Sequence, residues 1–101
     1  MGPLYLIEIQ LDLSTPEKRE QVRERVEQVI KEGGSPTSRL VAGPWVSMES
    51  QTLWLVADDP DLNQTMPMTI GLYRAGLIRD TRLRPIIDWD GAKAAAAKAQ
   101  G

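Results

Sequence analysis

Hydrophobic and polar positions alternate along residues 4–13, LYLIEIQLDL, and the alternation predicts a strand. It sets Tyr5, Ile7, Ile9, Leu11 and Leu13 on one face and Leu4, Leu6, Glu8, Gln10 and Asp12 on the other. The first face is apolar throughout. The second turns polar at positions that belong in the middle of a sheet. The period then changes from two to that of a helix. Ser14-Thr15-Pro16-Glu17 combines candidate caps, a proline suited to the first turn and capping-box spacing. Val22, Val26, Val29 and Ile30 follow as one narrow apolar stripe, and Gly33-Gly34 closes the helix. Charges of both signs, including Glu27 and Lys31 in the favourable i,i+4 order, form its solvated back.

Residues 38–47 read as a second strand, with Gly43-Pro44 as a bulge or bend and an edge position implied by the proline. Met48-Glu49-Ser50 makes a tight connection to a third strand over 51–57. There Leu53, Leu55 and Ala57 alternate with Thr52, Trp54 and Val56. Asp58-Asp59-Pro60 opens the next helical region. Pro67 inside one continuous helix would cost roughly 3 kcal/mol, so the expectation is a short turn over 60–64 and a second start capped by Thr65. Met66, Ile70, Tyr73 and Leu77 then share a face, with Gly76 as the stop. Residues 78–87 form a fourth strand, Leu83, Pro85 and Ile87 opposite Arg82, Arg84 and Ile86, and Pro85 places it at an edge. Residues 1–91 are expected to form one domain. Residues 92–101 form an Ala-rich tail of high helix propensity, anchored by Trp89.

The order strand, helix, strand, strand, helix, strand predicts an α+β, ferredoxin-like βαββαβ domain with a four-stranded antiparallel sheet. The first and third strands are central, the fourth pairs with the first, and both helices cover one face. The other face is left bare, and on so small a domain a second copy is expected to cover it. Strand one as LYLIEIQLDL, strand three as TLWLVADD and the closing RLRPIIDWDGAKAAAAK resemble the dimeric α/β-barrel superfamily, near its YCII-like and muconolactone-isomerase-like groups. The resemblance spans residues 4 to about 91 and implies a homodimer that joins its sheets into an α/β barrel. The superfamily includes haem-degrading enzymes, cofactor-free monooxygenases and isomerases, and ligand-sensing modules.

Composition narrows the chemistry. Among 101 residues there is no Cys and no His, which removes disulfides, zinc-thiolate sites, thiol nucleophiles, the usual haem ligand and every Ser-His triad. Twelve Lys and Arg against 14 Asp and Glu give a formal charge of −2. That balance offers no basic stripe for nucleic acid and no polybasic segment for a membrane. With no apolar run approaching the ~20 residues of a membrane span and no signal-peptide pattern, the chain reads as cytoplasmic.

Two sets of charges on the bare face define the candidate site. With the first and fourth strands antiparallel, Glu8, Gln10 and Asp12 share that face with Arg82 and Arg84. Arginine grips a carboxylate in bidentate fashion, so Arg82, Arg84 and Gln10 are the candidate ligand-binding residues, with Trp54 as an apolar wall. Glu8 and Asp12 are the candidate bases. No metal and no cofactor enter this reading, and the alternative role of these residues is cross-strand ion pairing that fixes register. The function expected is a homodimer that binds a small polar or anionic molecule or serves as a regulatory or assembly module. The alternative is a cofactor-independent isomerase or small monooxygenase acting on a carboxylate- or enolate-bearing substrate.

Overall fold

A computed structural model describes residues 4–35, 38–58 and 62–100. Its elements run β1 (Leu4–Leu11), α1 (Pro16–Glu32), β2 (Gly34–Ser35), β3 (Ser38–Ser47), β4 (Thr52–Asp58), α2 (Leu62–Arg74), β5 (Ile78–Ile86) and α3 (Trp89–Gln100). The sheet is antiparallel throughout in the order β2-β3-β4-β1-β5. Its four long strands carry the ferredoxin-like α+β arrangement, with β1 and β4 central and β5 at an edge where Pro85 needs no ladder partner. The two-residue β2 was not expected. It pairs with Arg39 and Ser38, so only the later part of β3 is an open edge.

Local chemistry accounts for the first crossover. Thr15, not Ser14, caps α1 by accepting a hydrogen bond from the Lys18 amide, with Pro16 in the first turn. Gly33 ends the helix in the left-handed region at φ 72°, its amide bonding back to the Ile30 carbonyl. Val22 is buried and Val26 packs against the core, whereas Ile30 is left exposed, so the stripe is narrower than its spacing implied. Glu27 pairs with Arg23 at 2.7 Å, and Arg23 also takes Glu20.

The second helix departs from expectation. α2 runs unbroken through Pro67, with no second start at Thr65. Pro67 is the sixth residue of the helix, so it forfeits one main-chain bond near the N-terminus, and its ring lies on the exposed side. Thr69 and Leu72 line the interior, while Ile70 and Tyr73 lie 46% and 40% exposed, so the stripe through Ile70 and Tyr73 is corrected by one position. Leu77, beyond the helix, is the largest fully buried side chain among the described residues. The side chain of Met66 and residues Asp59, Pro60 and Asp61 lie outside the described residues.

The core is small: Leu11, Val22, Leu53, Leu77 and Ile78, with Ile9, Leu13, Val26, Leu55 and Leu72 packed against it. Two ladder irregularities set which side chains reach it. At the start of β5, Arg79 is an extra residue between the pairs Leu11–Ile78 and Gln10–Asp80. In β3 the register shifts on both sides of Ala42, around the cis Gly43-Pro44 bond. The C-terminal residues form α3, capped by Asp88, which accepts from the Gly91 amide at 2.6 Å. Trp89 is 73% exposed and does not anchor this helix. Among the described residues no helix is long and apolar enough to cross a membrane.

Candidate functional site

Register alone places most of the candidate residues. Directly paired residues point to the same side of a sheet, so each ladder row is also a row on one face. On the side away from α1 and α2, one row reads Trp45, Trp54, Glu8, Arg82. The next reads Ser47, Thr52, Gln10, Asp80, and the row on the other side Ala42, Val56, Leu6, Arg84. Glu8, Gln10, Arg82, Arg84 and Trp54 therefore come together on the helix-free face.

Asp12 does not join them. β1 ends at Leu11, and the Asp12 amide donates to the Leu77 carbonyl. Its carboxylate accepts from Lys18 Nζ at 2.7 Å and from the Ser14 amide at 3.0 Å and hydroxyl, with Arg79 at 3.7 Å. Hydrogen bonds from the Lys18 ammonium first, and then from Ser14, hold this carboxyl well below the usual range. So held, it is a weaker base than a free carboxylate. Its visible work is to tie the end of β1 to the start of α1.

The polar strip shapes a shallow recess of about 230 Å³ lined by Glu8, Gln10, Ser50, Thr52, Asp80 and Arg82. Two ion pairs border it. Arg84 Nη2 lies 3.5 Å from Glu8 Oε2, and Arg82 Nε donates to Asp80 Oδ2 at 3.2 Å. Glu8 is the more sheltered group, at 27% side-chain exposure, whereas both arginines are more than half exposed. Two carboxylates and two guanidiniums make the strip electrically balanced. A polar ligand meets donors and acceptors of both kinds there. An anion would have to draw an arginine from its carboxylate, which exposed pairs worth well under ~1 kcal/mol permit.

Sequence reasoning passed over Asp80, Ser50 and Thr52. Asp80 stands two residues before Arg82 on the same strand, so alternation would have included it. Ser50 enters through the turn after β3, where Gln51 adopts φ 52° and its carbonyl accepts from the Leu11 amide. No local pattern marks such a residue. Trp45, 56% exposed, sits opposite Trp54 and extends the apolar flank of the strip. Among the described residues no group of three or more carboxylates is arranged to hold a metal ion. No family model matches the chain, and no curated protein matches its sequence.

Proposed function

We propose that the chain works as a cytoplasmic homodimer, its subunits joined through the helix-free sheet faces as in the dimeric α/β barrels that it resembles. In this reading the recess between Glu8, Gln10, Asp80 and Arg82 holds a small polar or anionic molecule. The observation that carries it is one face on which a central polar recess is flanked by Trp45, Trp54, Leu6 and Val56, with no helix among the described residues lining it. Apolar flanks favour coverage by a second copy, and coverage would convert an open recess into an enclosed one. Enclosure lowers the local dielectric and strengthens any bond from Arg82 or Arg84 to a ligand carboxylate.

Light scattering at micromolar concentration tests the assembly. A dimer is expected for the wild type and a folded monomer for Trp54→Arg; a monomeric wild type refutes it. Thermal shift against small carboxylic acids tests the ligand. Stabilisation of the wild type is expected, reduced in Arg82→Ala and Arg84→Ala. If no acid or neutral polar compound stabilises the wild type, the recess is only a place where charges set strand register.

A further inference from the structure

Glu8 and Arg82 stand directly opposite each other on β1 and β5, and both line the polar recess of the helix-free face. Directly opposed residues on one face have Cβ atoms roughly 5 Å apart, and opposite charges so placed ordinarily pair. Among the described residues no ion pair joins these two. Each turns to another partner. Glu8 Oε2 reaches diagonally to Arg84 Nη2 at 3.5 Å, and Arg82 Nε donates along its own strand to Asp80 Oδ2 at 3.2 Å. The recess of about 230 Å³ is thus bordered by a carboxylate on one strand and a guanidinium on the next that do not close on each other.

Both groups are open to a ligand, the Glu8 side chain at 27% exposure and that of Arg82 at 63%. The Thr52 hydroxyl donates to the Ser50 carbonyl at 3.1 Å, whereas the exposed Gln10 and Ser50 side chains can donate or accept. Within the lining, Glu8 and Asp80 outweigh Arg82, so a bare anion meets a wall of net negative charge. A bare cation meets the guanidinium. A ligand with both charges sets each group against a counter-charge. Neighbouring strands lie about 4.8 Å apart, so charges separated by roughly two or three methylenes span Glu8 and Arg82 better than two on a single carbon.

We infer that the recess is a site for a short ω-amino acid, its ammonium on the Glu8 carboxylate and its carboxylate on the Arg82 guanidinium. The inference rests on the ligand reading proposed above and narrows it from any small polar or anionic molecule to a zwitterion. Asp80 is then a competitor for Arg82. The incoming carboxylate displaces it, which an exposed pair permits at small cost.

Titration of the full chain with 4-aminobutyrate, butyrate and butylamine, followed through backbone amide resonances, tests it with one chain length and different charges. 4-Aminobutyrate should shift Glu8, Gln10 and Arg82 and leave Val22 and Leu72, on the helix-covered side, unmoved. Butyrate and butylamine should each bind about tenfold more weakly, the weight of one charge-assisted hydrogen bond. Glu8→Gln should erase the advantage of 4-aminobutyrate over butyrate, and Arg82→Gln its advantage over butylamine. Asp80→Asn, which releases Arg82, should tighten 4-aminobutyrate, and a loss there overturns the assigned roles. Equal affinities of the wild type for butyrate and 4-aminobutyrate overturn the zwitterion and leave the wider ligand reading standing. No shift from 4-aminobutyrate overturns the inference, and the thermal-shift screen of acids and neutral polar compounds then decides the wider reading by itself.

Discussion

Two faces of one sheet are built from alternate residues of the same strands, and they hold together by different physics. On the covered face β1 presents Ile9 and Leu11 to Val22 and Leu77, and stability comes from area removed from water. On the helix-free face the residues between them, Leu6, Glu8 and Gln10, meet cross-strand neighbours. Ion pairs and aromatic rows organise that side without burying much. The covered face thus makes the fold, and the free face is at liberty to carry recognition.

The largest expected effect separates two adjacent residues of β4. Leu53 is 4% exposed in the core, so Leu53→Ala should lower unfolding free energy by about 2–5 kcal/mol in urea titrations. Trp54→Ala, one position along and on the other face, should cost less in a dissociated chain; the contrast between faces breaks if it costs more. Next comes the cap that launches the covering helix. Thr15→Ala should cost about 1 kcal/mol, and Thr15→Ser should restore most of it.

The Asp12 latch sharpens the comparison by pH. Its pKa is depressed on folding, so its contribution is present above the ordinary aspartate value of about 4 and is lost as pH falls below it towards the folded value. Asp12→Asn should therefore be less stable than wild type at neutral pH, with the gap closing on acidification. A gap that stays constant down to pH 2 removes the latch. The smallest effect is expected on the free face. Glu8→Gln breaks a partly exposed pair with Arg84 and should change stability by less than about 1 kcal/mol. A larger loss would mean that the strip supports the fold as well as any ligand.

The order of elements, the capped first crossover and the polar strip on β1 were legible because each rests on local rules. Alternation separates Ile9 from Glu8, and Thr15-Pro16 starts a helix wherever it sits. The second helix was misread because the cost of Pro67 was taken at its interior value, whereas near an exposed N-terminal turn one missing bond is tolerated. Asp12 was assigned by parity to the strip, but a strand's parity ends with its ladder, and Lys18 captures the carboxylate beyond Leu11. Trp89 carried the aromatic signature of an anchor, yet it stands 73% exposed.

By itself the sequence determined the order of elements and the identity of the residues available on each face, because side-chain period and capping are properties of neighbours along the chain. Tertiary structure decided which of them meet. By strict alternation Ile78 and Arg82 would share a side, yet the extra residue Arg79 lets Ile78 enter the core while Arg82 faces out beside Asp80. A bulge is a response to pairing with β1, a strand more than sixty residues away, and no local pattern encodes it. The recess has the same origin. It is a space between elements, set by how far packing closes and not by any one segment.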